Sequence, residues 1–234
     1  MRIRARAMRV LVATMLVGGM FAATATSAQA THSSTKAKLT LVHGIAGTDG
    51  RFAVDISVYR LAVGSTVIQD VTYGTVSDPI SLDPGLYWIG VRPDGAPRYS
   101  KPVLSKWLWL GHGADKAVVA HLSADGTPRL TVYTNDMSNP GDGNARITIR
   151  HNAAVGPVDV FADSNEVVSG LANPYQAKLA VLADTYQIRV ALADGGATVL
   201  DAPLGFAAGT NTFVYATLDQ NGDFNPLLDV RTTS

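Results

Sequence analysis

The sequence predicts an all-β protein built as two tandem antiparallel sandwich-like domains, and three observations predict it. Aspartate supplies 18 of the 19 acidic residues, Glu166 being the other, and the chain also carries 22 Gly and 11 Pro. That composition favours turns over helices. Short runs of period-two alternation recur at roughly ten-residue spacing between turn signals, the pattern of a sandwich or barrel. The second half then repeats the first.

Residues 1–30 read as a secretory leader. Arg2, Arg4, Arg6 and Arg9 precede an apolar run over 10–23, and Ala28-Gln29-Ala30 is a small-residue cleavage site. The apolar run is shorter than the about 20 residues that a membrane span needs. No membrane insertion is therefore expected once the leader is removed, and the protein is expected to be secreted, extracellular or cell-wall associated. Residues 31–36 form a polar, flexible arm. Without the four leader arginines, 15 Lys and Arg face 19 acids, a net charge of about −4. Such a chain has no electrostatic drive toward nucleic acid. It has no Cys, so burial rather than disulfides must hold the fold.

In the first domain, 37–134, strands are expected at 38–43, 53–59, 66–73, 86–92, 103–110, 117–123 and 129–134. Asp83-Pro84-Gly85, Pro93-Asp94-Gly95 and Asp125-Gly126 are turn signals between them. Residues 135–144 carry no apolar periodicity and are rich in Asn, Asp, Gly and Pro, the marks of a linker. In the second domain, 145–234, strands are expected at 146–151, 158–163, 177–182, 186–191, 198–202, 212–218 and 225–230. His43 aligns with His151, and Val54-Asp55-Ile56 with Val158-Asp159-Val160. Tyr87-Trp88-Ile89 aligns with Tyr186-Gln187-Ile188, and Asp125-Gly126 with Asn221-Gly222.

These motifs resemble the DUF4397 domain: Val-x-His, a small-residue loop, Val-Asp-Val, a later Gly-x-Tyr-x-Ile/Val strand, and an apolar strand before Asp-Gly. The resemblance runs from 37 to 230. It departs from the family in the loop after each His, where a Ser-Pro-Asp-Ala-Pro-like segment is replaced by 44–53 and 152–157. The resemblance implies an exported bacterial β domain, often in tandem, with no reaction attached. The sandwich expected is of the immunoglobulin or transthyretin kind.

Two sets of residues are candidates for function. The first is the repeated His43, Asp55, His151 and Asp159. A His–Asp pair can act as acid and base or ligate a metal. Alternation puts each His on the apolar face of its strand and each Asp on the polar face of the next. The pair is therefore expected to be structural, a His capping the core and an Asp tying down a turn. The second set is Trp88, Trp107 and Trp109. Tyr87, Ile89 and Val91 are expected inward, which leaves Trp88 outward in the place of Gln187. Trp107 and Trp109 share a face opposite Leu108 and Leu110. An exposed tryptophan patch suits a sugar ring or a protein partner, whereas buried tryptophans would point to packing.

The chain has no Gly-x-Ser-x-Gly, His-Glu-x-x-His or P-loop motif. Residues 219–223 lack the Gly and Glu that a calcium loop requires and read as a hairpin turn. No catalytic residue, cofactor or metal site is assigned. The expected function is that of an exported, non-catalytic module that binds a cell-envelope glycan or an extracellular protein. A purely structural surface component is the alternative, and a hydrolase the last.

Overall fold

The computed structural model describes residues 35–47, 53–61, 63–193 and 195–233. The leader, residues 31–34 of the arm, and 48–52 in the loop after His43 lie outside the described residues. Thr35 and Lys36 of the arm are exposed but tied down. Thr35 O accepts from Gly113 N (3.1 Å), and Lys36 Nζ pairs with Asp83.

Every regular element among the described residues is a strand. In the first half, β1 (Ala37–His43), β4 (Ile80–Leu82), β7 (Asp115–Leu122) and β8 (Pro128–Thr134) form a sheet in the order β4-β1-β7-β8. A second sheet has the order β3-β2-β5-β6, from β2 (Val54–Arg60), β3 (Gly64–Val71), β5 (Gly85–Pro93) and β6 (Leu104–Leu110). The second half contains β9 (Asn144–His151), β10 (Val158–Ala162), β11 (Asn165–Leu171), β12 (Gln176–Leu182), β13 (Asp184–Leu192), β14 (Thr198–Phe206), β15 (Thr210–Leu218) and β16 (Phe224–Thr232). It repeats both orders, as β12-β9-β15-β16 and β11-β10-β13-β14. Pairing is antiparallel except for β1 with β7 and β9 with β15. After β1 the chain crosses to the other sheet for β2 and β3, returns for β4, crosses again for β5 and β6, and comes back at β7 running parallel to β1.

Within each half the two sheets pack face to face. Leu39, Leu41, Ile56, Val58, Ile89 and Leu110 belong to one continuous buried cluster in the first half. The sheets containing β1 and β9 use their other faces to meet each other. Val42, Ala117, Val119 and Tyr133 pack there against Phe213, Tyr215 and Leu227. The result is four layers, two inner sheets between two outer ones. Burying side chains the size of Phe213 and Tyr215, both 0% exposed, contributes about 1.5–3 kcal/mol each.

The central interface also holds two arginines. Arg150, fully buried, donates from Nη1 to Tyr215 OH (2.9 Å), from Nη2 to Asn135 Oδ1 (2.8 Å) and from Nε to Gln176 Oε1 (3.1 Å). Its guanidinium lies 4.6 Å from the Tyr133 ring centroid and 4.8 Å from that of Phe213. Arg231 links Asp229 of its own half to Asp115 of the other, at 2.9 Å. The segment after β8 is part of this interface, since Asn135 is buried and donates to Asp115 (2.6 Å). Contacts across the interface are reciprocal. Tyr73, two residues after β3, bonds Thr217 on β15 (3.3 Å). Asn173, two residues after β11, bonds Leu122 O at the end of β7 (2.9 Å). That is the pattern of an approximate two-fold axis.

Two strands escape the periodicity. β4 is three residues between Pro79 and Pro84, and β11 carries adjacent Val167-Val168, which breaks the alternation.

Candidate functional site

The outer face of the first sandwich is set by the alternation of β5. Tyr87, Ile89 and Val91 point inward and are buried, so Trp88, Gly90 and Arg92 lie on the outside. In the ladder Trp88 stands between Tyr59 on β2 and Trp107 on β6. Three aromatic side chains thus line up across three adjacent strands. Strands lie about 4.8 Å apart, so the row spans roughly 10 Å. Leu108 and Leu110 take the inward positions of β6, which leaves Trp107 54% and Trp109 61% exposed.

Trp88 itself is half-buried because its indole lies along the strand, over Gly90. A Cβ at Gly90 would stand 2.3 Å from Trp88 Cη2, closer than any side chain allows. Beyond the ring, the Arg92 guanidinium sits 5.7 Å from its centroid, within cation–π range. Arg92 is buried and fixed: Nε donates to Ser100 O (2.8 Å) and Nη1 to Ser57 Oγ (3.1 Å).

Two adjoining recesses open on this face and share Ser57, Arg92 and Arg98. One, of 270 Å³, is bordered by Tyr59, Trp88 and Tyr99. The other, of 330 Å³, is bordered by Asp55, Gln69 and Gly95. Arg98 Nη2 is held by Ser65 Oγ (2.5 Å), and Tyr99 is almost fully exposed. The groove therefore offers flat apolar faces at one end and fixed donors and acceptors at the other.

The second sandwich lacks this face. Gln187 takes the place of Trp88 and bonds Asp201 (2.6 Å), and Arg189 lies 3.6 Å over the Phe161 ring.

The repeated histidines and aspartates are not brought together. His43 and His151 lie on β1 and β9 in the inner sheets, and Asp55 and Asp159 on β2 and β10 in the outer ones. His151 is fully buried: Nε2 donates to Gly156 O (2.9 Å) and Nδ1 accepts from Ala153 N (3.3 Å). Each Asp holds a bulge in the neighbouring strand. Asp55 accepts from Asp70 N (3.3 Å, φ 54°) and Asp159 from Gly170 N (2.7 Å, φ 60°). The ladder skips a residue at both places. Asp219, in the calcium-like stretch, accepts from Asn221 N (2.8 Å) and Asp223 N (2.9 Å) of its own hairpin turn. Among the described residues, no three His, Asp or Glu side chains are placed to hold a metal ion.

Sequence reasoning located the tryptophans and missed Tyr59, Arg92, Arg98 and Tyr99. A signal for Arg92 was present: on the outward positions of β5 a Gly separates a Trp from an Arg, leaving room for the ring to lie flat beneath a cation. Arg98 and Tyr99 sit on a loop, where no periodicity points to a face.

No curated protein matches this sequence. Among solved structures, the Bacillus anthracis TIE protein aligns at 12% identity with a TM-score of 0.26, covering 79% of this chain and 34% of that one. The chain thus spans about a third of that protein's length. The fimbrial anchor protein Mfa2 from Porphyromonas gingivalis aligns at 8% identity with a TM-score of 0.23, covering 84% and 98%. At these scores neither likeness carries an inference. The family model described as a domain of unknown function, DUF4397, matches residues 37–161: the first half, the connecting segment, β9 and nearly all of β10. That match is narrower than the motif resemblance, but it spans more than half of the 234 residues, and the chain belongs to the DUF4397 family.

Proposed function

We propose that this protein is an exported, non-catalytic module that binds a glycan on the outer face of its first sandwich. The observation that carries the proposal is the aromatic row Tyr59–Trp88–Trp107 beside a groove with the fixed Arg92 and the exposed Arg98. A sugar ring has an apolar face and a hydroxyl edge, and stacking on an indole while bonding to arginine and carboxamide groups satisfies both. The row is long enough for a short oligosaccharide. We further propose that 37–134 and 145–234 are two copies of one domain joined by 135–144. The sheet orders support this, because they are the same in both halves.

The test is a glycan array with protein recovered from culture supernatant, followed by tryptophan-fluorescence titration of the best ligand. The recovered chain is expected to begin at Thr31. Trp88→Gln and Trp107→Ser are expected to weaken binding at least about tenfold, a loss of about 1.4 kcal/mol. Wild-type affinity in both variants would overturn the assignment of this face. A chain that keeps its leader in the membrane fraction would overturn export.

A further inference from the structure

The charges on the outer face of the first sandwich are unevenly placed. The 270 Å³ recess is bordered by the rings of Tyr59, Trp88 and Tyr99, by two serines, and by Arg92 and Arg98, and no carboxylate among the described residues borders it. Neither arginine forms an ion pair among the described residues. Arg98 is exposed, but Arg92 is only 7% exposed. Withdrawing a guanidinium from water without a counter-charge is unfavourable.

Arg150 shows how this fold satisfies a buried arginine when it has no ligand to bind. Its Nε, Nη1 and Nη2 all donate to protein acceptors. Arg92 donates from Nε and Nη1, and its Nη2 has no acceptor among the described residues. Nor does the strand pairing demand an arginine there. Arg92 stands opposite Asp55 in the ladder, and the matching position of the second sandwich, opposite Asp159, is Ala191. Asp55 serves the bulge, where Oδ1 accepts from Asp70 N (3.3 Å).

The 330 Å³ recess has the opposite character. Asp55 borders it, Asp70 follows its Gln69, and Asp94 precedes its Gly95. Asp94 is close enough to Asp70 that hydrogen bonding and repulsion push the Asp70 carboxyl above its usual range. The groove thus runs from an arginine pair at one end to three aspartates at the other. A guanidinium fork matches the paired oxygens of a carboxylate or sulfate, and the aspartates repel a second anion further along. The arginine recess has room for a sugar ring, since an engineered cavity of ~150 Å³ already admits benzene.

We propose that this face selects a saccharide carrying one acidic group, a carboxylate or a sulfate ester, seated between Arg92 and Arg98 with its ring against Trp88. The inference rests on the glycan reading of this face and adds to it the charge of the ligand.

The test is a glycan array on which each oligosaccharide appears in neutral, single-uronate, single-sulfate and fully uronated form. Tryptophan-fluorescence titration of the full chain then follows with the best series. A single-acid form should bind at least about tenfold tighter than the neutral and fully uronated forms, the order expected of charge-assisted hydrogen bonds. The tighter of uronate and sulfate identifies the group, and methyl esterification of the uronate should abolish its gain. Arg98→Gln, at an exposed position, should bring acidic and neutral forms to similar affinity. Trp107→Ser should weaken both forms and keep their ratio, and Asp94→Asn should strengthen the fully uronated form. If neutral and acidic forms bind alike, or the acidic preference survives Arg98→Gln, the glycan face stands and its acidic ligand falls. Tightest binding of the fully uronated form would likewise overturn the single-acid assignment. Binding of no form at all would overturn both readings.

Discussion

Gly90 and Trp88 show how one missing side chain shapes a surface. The indole can lie flat only because residue 90 has no Cβ. Gly90→Ala should therefore push the ring off the sheet and cost about 1–3 kcal/mol, the usual range for overpacking. In a Trp88→Gln background the same change should be nearly neutral. A double-mutant cycle read by urea melts checks this, and additive effects would mean that the ring does not rest on Gly90. Trp88→Gln alone should cost less than the about 3–5 kcal/mol of a fully packed indole. The histidines make a second prediction at this scale. Burial holds the His121 and His151 imidazoles below their usual range. His121 has Nδ1 against Leu122 O (2.9 Å) and Nε2 against Thr131 Oγ1 (2.7 Å), so Nδ1–H donates and Nε2 accepts in the neutral ring. A folded-state value below the unfolded one means that the full stability is present above about pH 6.5 and is lost as pH falls. The urea midpoint should be level from about pH 8 to 7 and decline toward pH 5. His121→Gln should remove part of that decline, and an unchanged slope would exclude His121 as a source.

At the scale of elements, Arg231 joins β16 to β7. Its side chain is 10% exposed and those of Asp115 and Asp229 are 9% and 11%, so all three charges are largely withdrawn from water. Arg231→Met leaves two buried carboxylates facing one another and should cost about 3–5 kcal/mol. Adding Asp115→Asn should recover part of the loss, and equal stability of the two variants in urea would show that Asp115 is not the residue left stranded. None of this was legible in the sequence. Period-two alternation tells which side chains share a face but not what covers that face. Arg146, Thr148 and Arg150 read as the polar side of β9, and Arg150 is the largest fully buried side chain among the described residues. Inward Tyr87 and outward Trp107 were legible because one sheet face there meets a core and the other meets water. The edge strands β4 and β11 were not, since a strand paired on one side needs no continuous alternation.

For the whole molecule, the shared cluster around Phe213, Tyr215 and Val119 couples the halves. All three tryptophans lie in the first half, so indole fluorescence reports on that half while far-ultraviolet circular dichroism reports on both. The two signals should follow one urea transition in the native chain. In Arg231→Met the dichroism should begin to fall first, because the buried side chains of the second sandwich fall into two separate groups where those of the first form one. Separate transitions in the unaltered chain would mean that the central interface does not couple the halves. The approximate two-fold axis has a further consequence. A homodimer of one sandwich would carry identical residues on its two outermost sheets, since any substitution appears in both subunits at once. A single chain folded in the same arrangement is free of that constraint. Its outermost sheets, roughly 30 Å apart at about 10 Å per layer, can diverge as long as the middle keeps its fit. One carries Trp88, Trp107 and Arg92, and the other Gln187, Arg189 and Phe161. Its two ends can therefore accept unlike substitutions while the residues between them stay matched.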